Sequence, residues 1–338
     1  MLSIIIPSYN SLNKIGHLLY SIDKSQHIRK ADFEVIIVDD YSTDGTVDFI
    51  TSHLKNWLNL SNLKIIELKK NQGPAVARNI GVKYAKGSII LFLDADVILF
   101  EKTLKRVIYL FDSDPDLFAL TGVWDKEQKG NGFFRRFKAL RDWSYWINER
   151  DPKNYYYLFS TRVAAIRRDL FLRLGGFDTT YKAALIEDIE LTYRIAKRHA
   201  IVFDPEVRVH HEFEDFLPVA KKYFWRSYYW SKIYRERKKF DPVATTGKEA
   251  LATISAAGVV FLFLIFLLSY LSSLSYTEEI RRWEGLLLWF FLVFHFLMVR
   301  KFIVFCVKEE GWWFGFKAFI TGIILYCVII SGALFSLR

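Results

Sequence analysis

Four short apolar runs near the N-terminus, separated by segments with helical patterning, constrain the fold most strongly. The runs cover residues 2–6, 33–38, 63–68 and 89–93, and the intervening segments place apolar residues at helical spacing. Mostly apolar runs of this length are typical of strands, and the charge-free run at 89–93 is typical of a strand that is buried on both faces. Strands that alternate with helices predict an α/β fold with a doubly wound, mainly parallel sheet.

Polar residues follow each of these runs. In doubly wound sheets, ligands bind beyond the carboxyl ends of the strands. The residues that the sequence places at those ends are Pro7, Tyr9, Asp39, Asp40, Asn71, Gly73, Asp94 and Asp96. Their convergence predicts one ligand site at this edge of the sheet.

Asp94 and Asp96 end the fourth run with one residue between them. Side chains alternate along a strand, so the two carboxylates are expected on one face. A hard divalent cation that bridges a diphosphate would offset their repulsion. A solvated turn is the alternative, because Asp is common in turns.

Four motifs in order along the chain resemble the family 2 glycosyltransferases of GT-A fold. They read IIIPSYN at 4–10, VDDYSTD at 38–44, NQGPAVARN at 71–79 and DAD at 94–96, and the resemblance covers about residues 1–215. It implies a nucleotide-sugar site formed by Pro7, Tyr9, Asn10, Asp39, Asp40, Gly73, Arg78 and Asp94. It also implies that Asp94 and Asp96 bind Mg²⁺ or Mn²⁺. Taken alone, Asp39 and Asp40 are also compatible with helix capping, and Gly73 with a positive φ.

Residues 186–191 resemble the Glu-Asp motif that begins a helix in the same family. The resemblance implies that Asp188 is the general base of an inverting transfer, because an acceptor hydroxyl must lose its proton as it attacks. Acidic residues in a first helical turn are also favoured by the helix dipole alone. His210 is predicted as a further metal or diphosphate contact, and His211 is the weaker candidate.

The aromatic content and the charge indicate a membrane and anionic ligands. The chain has 30 Phe, 18 Tyr and 10 Trp and a net charge of +10. Such a composition fits nucleotides and lipid head groups. It lacks an RNA-binding aromatic motif and zinc-finger spacing, so no nucleic-acid partner is expected. Cys306 and Cys327 both lie in apolar segments and do not suggest a disulfide framework.

Three regions are predicted: a GT-A glycosyltransferase domain at 1–217, a basic aromatic interfacial helix at 218–249, and a transmembrane region at 250–338. Residues 219–249 contain nine basic and three acidic residues interleaved with aromatic ones, which is typical of a helix at a membrane surface. Residues 133–147 predict either a second interfacial helix or a helix packed on its own domain.

Apolar segments at 251–274, 285–299 and 318–337 predict about three transmembrane helices. The basic loop at 300–317 is expected in the cytoplasm, which places the C-terminus outside. Two spans with a re-entrant middle segment are the alternative. The N-terminus has no signal-peptide pattern. The prediction is therefore a multi-pass protein of the cell membrane with a cytoplasmic catalytic domain.

These features together predict a hexosyltransferase-type enzyme (EC 2.4) of glycan or polysaccharide biosynthesis. The chain lacks the Gln-x-x-Arg-Trp motif of long processive synthases, which favours addition of one or few sugars to a membrane-associated, lipid-linked glycan. A polyprenyl-phosphate glycosyltransferase is the runner-up. A non-catalytic membrane scaffold with a transferase-like domain is disfavoured by the intact acidic residues. A nucleotidyltransferase is disfavoured because no Gly-rich loop follows the first strand.

Overall fold

The computed structural model describes residues 1–26, 28–57, 60, 62–129, 132–150, 157–180, 186–238, 246–271 and 277–337. The chain divides into two compact units. The first comprises Met1–Gly130 and Asp151–Phe213, and the second comprises Asn131–Arg150 and Glu214–Arg338. The region boundaries at 217 and 249 remain predictions, and part of the stretch before 249 lies outside the described residues.

The first unit is built on one mixed sheet. Its strands are β1 (Leu2–Ser8), β2 (Phe33–Asp39), β3 (Leu63–Glu67), β4 (Ile89–Leu93), β5 (Val97–Leu99), β6 (Ala119–Trp124), β7 (Val163–Arg167) and β8 (Ile201–His211). They lie in the order β3-β2-β1-β4-β7-β6-β8-β5. The pairs β1–β2, β1–β4, β2–β3 and β6–β8 are parallel. The α/β class and the mostly parallel sheet are therefore confirmed, with β7 running antiparallel to both its neighbours.

The helices along the whole described chain carry the labels used below. They are α1 (Leu12–Asp23), α2 (Thr46–His53), α3 (Pro74–Tyr84), α4 (Thr103–Ser113), α5 (Phe133–Ser144), α6 (Arg168–Arg173), α7 (Glu187–Ile195), α8 (Phe216–Arg237), α9 (Gly247–Leu271), α10 (Glu278–Glu310) and α11 (Trp312–Phe335).

Strands β1, β2 and β4 form the core of the first unit because most of their residues are apolar and buried. Every residue of β4 is buried. Helix α3 packs closely on β1: a Cβ atom at Gly81 would lie 2.5 Å from Cγ2 of Ile5. This close approach fixes the start of α3 beside the carboxyl ends of the central strands.

Helices α9, α10 and α11 are long and apolar enough to cross a membrane. For α10, the sequence predicted that the span ends at 299, or at about 307 for a full crossing, and placed a loop at 300–317. The helix instead continues through Arg300 and Lys301 to Glu310, and only Gly311, at a φ of 89°, separates it from α11. No proline or glycine interrupts residues 286–310, so nothing local ends the helix earlier.

Helix α5 belongs to the second unit. Phe137 and Leu140 are fully buried there. The Phe137 ring lies 5.5 Å from that of Phe302, and the Phe133 ring lies 4.9 Å from that of Phe314. The segment at 133–147 therefore packs on α10 and α11 rather than within the first unit.

Candidate active site

Arg78 joins three elements of the first unit in one buried ion-pair network. Its guanidinium is 2% exposed and donates hydrogen bonds to Asp94 at 2.7 Å and to Glu187 at 3.0 Å. Arg78 lies on α3, Asp94 directly follows β4, and Glu187 begins α7. The network therefore fixes the start of α7 beside the end of β4.

The charges in this network depend on one another. Burial alone lowers the pKa of Arg78, but the carboxylates of Asp94 and Glu187 outweigh it and leave the pKa raised. Burial and then the charge of Asp188 raise the pKa of Glu187, while Arg78 opposes both. The buried charge of Arg78 is balanced by its two acidic partners, so removal of any one of the three leaves a charge without a counter-charge.

Asp188, the predicted base, follows Glu187 in the first turn of α7 and is partly buried. Its carboxylate Oδ1 accepts the backbone N–H of Ile189 at 2.8 Å, and its carbonyl accepts the Thr192 hydroxyl at 2.7 Å. The dipole of α7 favours an ionised carboxylate at this end. The next acid of that turn, Glu190, pairs with Arg194 instead.

Asp39 and Asp40, at the end of β2, are buried and accept hydrogen bonds from loops. Asp39 accepts the backbone N–H and the hydroxyl of Ser42, at 2.8 and 2.6 Å. Asp40 accepts the backbone N–H groups of Gln72 and Gly73, both at 2.7 Å. Gly73 has a φ of 90°, which favours glycine at the turn before α3. The two carboxylates thus shape both loops at this edge of the sheet.

Pro7, Tyr9 and Asn10 lie at the end of β1. Pro7 is paired with Val38 of the parallel strand β2. Asn10 adopts a φ of 47°, and its side-chain oxygen accepts the backbone N–H of Thr43 at 2.9 Å. Tyr9 is 52% exposed, so its ring is available to stack on a nucleotide base.

Asp94 and Asp96 turn to different partners. The prediction that they share a strand face assumed that the strand continues, whereas β4 ends at Leu93 and the chain turns before β5. Asp94 contacts Arg78, and Asp96 lies 3.3 Å from Nζ of Lys14 on α1 and 3.4 Å from Nε2 of His211 on β8. Burial raises the pKa of Asp96, but His211 and Lys14 outweigh it and hold that pKa well below its usual range.

The histidine beside Asp96 is His211, not His210. In the antiparallel pairing of β5 with β8, Val97 lies opposite His211 and Ile98 opposite His210, so the two imidazoles point to opposite faces. The His210 ring contacts Glu212 at 2.7 Å. The His211 ring packs near Trp124 and Phe213, with centroids 5.7 and 4.8 Å away.

The donors around Asp96 fit a hard divalent cation. The Asp96 carboxylate and the His211 Nε2 atom are close enough to bind one ion, and a cation of this type takes its other ligands from phosphates and water. Nδ1 of His211 is buried without a hydrogen-bond partner among the described residues. In the part of the chain that the structure describes, no group of three or more His, Cys, Asp or Glu side chains converges at metal-binding spacing. The protein would therefore supply two ligands, and a diphosphate would complete the site.

Comparison with known proteins gives the class. Residues 3–175, half of the chain, match the family model described as Glycosyl transferase family 2. The chain belongs to this family.

Curated relatives match part of the chain. The poly(ribitol-phosphate) beta-N-acetylglucosaminyltransferase TarS of Staphylococcus aureus is 39% identical over 125 residues, which cover 36% of this chain and 21% of TarS. The poly(ribitol-phosphate) beta-glucosyltransferase of Bacillus spizizenii is 40% identical over 106 residues, or 31% of this chain and 16% of the relative. The matched segments thus span about a fifth or less of the length of these relatives.

A solved structure resembles the whole chain. The mannosyltransferase PcManGT from Pyrobaculum calidifontis, in complex with GDP-Man and Mn²⁺, has a TM-score of 0.59 and 19% identity. The likeness covers 99% of this chain and 86% of that one, and it confirms the predicted GT-A architecture with C-terminal helices.

Three partners in the site were missed by sequence reasoning. Glu187 carries no signal beyond that of an acidic residue in a first helical turn, and it is buried against Arg78. Lys14 gave no signal, because a lysine on an amphipathic helix is ordinarily solvated. His211 ranked below its neighbour, because the sequence does not set the register of β8.

Proposed function

We propose that this chain transfers a hexose-type sugar from a nucleotide-sugar donor to a membrane-associated, lipid-linked glycan acceptor, with inversion at the anomeric carbon. The observation that carries the proposal is the Asp94–Arg78–Glu187 network, which places Asp188 next to the edge where the predicted donor residues meet. Membership of the family supports a nucleotide-sugar donor.

Asp188 accepts the proton of the acceptor hydroxyl as that oxygen bonds to the anomeric carbon. The bond from the anomeric carbon to the diphosphate breaks in the same displacement, and the nucleoside diphosphate leaves. A single displacement inverts the anomer. The exposed Tyr9 ring stacks on the base, and the loops held by Asp39 and Asp40 contact the nucleotide.

Asp96 and His211 are the residues that would hold a divalent cation, Mg²⁺ or Mn²⁺. When bound, such a cation offsets the negative charge of the departing diphosphate. Asp94, the other predicted ligand, orients Arg78 and through it the start of α7. Lys14 neutralises Asp96 in the structure described here.

The helices of the second unit and the names of two relatives support the proposed acceptor. Three apolar helices and the basic aromatic helix α8 favour an acceptor that is held at a membrane. Two relatives are named as beta-transferases that act on poly(ribitol-phosphate). A β-linked product from an α-linked donor agrees with inversion.

The decisive experiment uses the full chain in detergent or nanodiscs with a panel of UDP-, GDP- and dTDP-sugars. Asp188→Asn should lower transfer about 10²- to 10⁴-fold, because a general base contributes this much. Glu190→Gln, in the same helical turn, is the matched control and should retain most activity. Unchanged turnover of Asp188→Asn, or a product with retained anomeric configuration, would remove Asp188 from its role.

The acceptor is tested separately with lipid-linked glycan, polyprenyl phosphate and soluble poly(ribitol-phosphate). Transfer to the lipid-linked glycan alone is the expected result. Preferred transfer to polyprenyl phosphate would favour the runner-up function, and preferred transfer to the soluble polymer would overturn the lipid-linked assignment.

A further inference from the structure

Helix α8 accompanies α11 from its first turn. Both helices meet the beginning of α5: the Phe134 ring lies 5.2 Å from the ring of Phe216, the first residue of α8. The Phe133 ring lies 4.9 Å from that of Phe314 in the first turn of α11. Both helices therefore begin against α5.

The last turn of α11 also lies against α8. A Cβ atom on Gly332 would approach the Phe224 carbonyl oxygen and the Ser227 hydroxyl to 2.2 Å, so the two backbones are in close contact. The Phe335 ring lies 5.7 Å from that of Phe224. Arg235 donates hydrogen bonds to the hydroxyl and the carbonyl of Ser336, at 2.9 and 2.8 Å.

The outer side of α8 carries exposed lysines in both halves of the helix. These are Lys221, Lys222 and Lys232. If α11 crossed the hydrocarbon of a bilayer, α8 would cross with it and would carry these cations into lipid. Basic residues inside a membrane normally face a protein interior or reach the interface, and these do neither.

Helix α11 has the sidedness of a helix that lies in an interface. One face carries a stripe of exposed apolar residues at four-residue spacing, namely Trp312, Phe316, Ile320 and Ile324, which are 42–72% exposed. The opposite face packs on α8, α5, α9 and α10, with the rings of Phe319 and Tyr326 lying 5.5 and 5.6 Å from that of His295 on α10. Exposed Trp and Phe at the start of such a stripe are typical of the membrane–water interface.

Helices α9 and α10 do not show this division into one exposed apolar face and one packed face. They pack antiparallel, with Ser255 against His295 at 2.9 Å and Ser269 against Glu284 at 2.7 Å. Residues 250–271 and 285–299 have no Asp, Glu, Lys or Arg. The half of this pair that is remote from α5 exposes Leu268, at 65%, and Trp289, at 67%, which suits lipid on all sides.

We propose that only α9 and α10 cross the bilayer, as a hairpin, and that α11 lies in the membrane interface with α8 on its water side, facing anionic lipid head groups. The C-terminus then stays on the side of the membrane where α8 lies, whereas three crossings would place it on the other side. This inference does not rest on the proposed sugar transfer.

Single cysteines and a membrane-impermeant maleimide test the topology of the full chain in oriented vesicles. The exposed sites are Lys221→Cys on α8 as the reference, Glu278→Cys at the hairpin end, and Leu337→Cys at the C-terminus. The parent, with buried Cys306 and half-buried Cys327, gives the background. Leu337→Cys should react from the same side as Lys221→Cys, and Glu278→Cys only from the other. Reaction of Leu337→Cys on the side of Glu278→Cys would overturn the proposal, and so would reaction of all three on one side.

A depth measurement gives an independent readout. A bimane fluorophore on Ile324→Cys, in the middle of α11, is compared with one on Phe261→Cys, in the middle of α9, in bilayers with lipids brominated at defined depths. We expect shallow bromines to quench the label at position 324 and deep bromines to quench the label at 261. Equal quenching of both labels by deep bromines would show that α11 spans.

Discussion

Two strand ends in the first unit each present a pair of acidic residues, and their partners differ. At the end of β2, Asp39 and Asp40 accept hydrogen bonds from neutral groups that are fixed in loops. After β4, Asp94 and Asp96 contact the cationic side chains Arg78 and Lys14 and the imidazole of His211. The first pair therefore maintains the shape of the loops. The second pair makes charged contacts, which a bound cation or a diphosphate can replace.

The largest expected effect concerns Arg78. Arg78→Leu should destabilise the first unit by about 3–5 kcal/mol, because Glu187 and Asp94 would lose their buried counter-charge. Denaturant unfolding of the full chain, monitored with a probe in the first unit, measures this loss of stability. Arg29→Leu, which breaks the exposed pair with Asp32, is the control and should have no measurable effect. If both substitutions changed the free energy of unfolding equally, the network would not hold the site together.

The next effect separates hydrogen bonding from charge at the end of β2. Asp40→Ala leaves two backbone N–H groups without an acceptor and should lower the free energy of unfolding by about 2–3 kcal/mol. Asp40→Asn keeps one acceptor oxygen and should lower it by about 1 kcal/mol. Thermal and urea unfolding compare the two variants. Equal losses would mean that the negative charge, rather than the loop contacts, makes Asp40 stabilising.

The third effect concerns the second pair and distinguishes the two histidines. His211→Gln should weaken binding of Mn²⁺ to the complex with a nucleoside diphosphate about 10- to 100-fold, because its imidazole lies beside Asp96. His210→Gln should change it little, since that ring faces Glu212. Calorimetric titration of Mn²⁺, after EDTA treatment of the protein, measures both. Equal affinities for the two variants would leave Asp96 without a histidine partner in the metal site.

The contrast between the two strand ends also shows which features a sequence can reveal. The strands β1 to β4 follow from short, mostly apolar runs, and the turn before α3 follows from Gly73 and Pro74. These signals are local, because burial and backbone freedom act on neighbouring residues. For Asp39 and Asp40 the sequence left open nucleotide binding or helix capping, and it did not reveal their hydrogen bonds to the two loops.

The charged pair was harder to predict because its partners come from distant parts of the chain. Glu187 lies 109 residues after Arg78, and only the folded topology brings α7 to β4. The choice between His210 and His211 depends on a one-residue register in β8. The end of α10 was left open between 299 and about 307 for another reason: a basic pair signals the end of a span, but it does not end a helix.

The smallest expected effect tests whether neutral donors also stabilise the carboxylate beyond β2. Asp44 accepts the backbone N–H groups of Leu12 and Thr46, both at 3.0 Å, and so joins the starts of α1 and α2.

Burial raises the pKa of Asp44, but the hydrogen bonds from Thr46 and Leu12 outweigh burial and leave this pKa below the ordinary value of 3.8. Because the pKa is lower in the folded state, the stabilisation is fully present above the ordinary value of 3.8 and is lost as the pH falls through the folded-state pKa. Asp44→Asn should therefore cost about 1 kcal/mol at neutral pH, and the difference from the parent should narrow below about pH 4. Unfolding measured across this pH range would contradict the argument if the difference stayed constant, since the charge of Asp44 would then contribute nothing to its capping of the two helices.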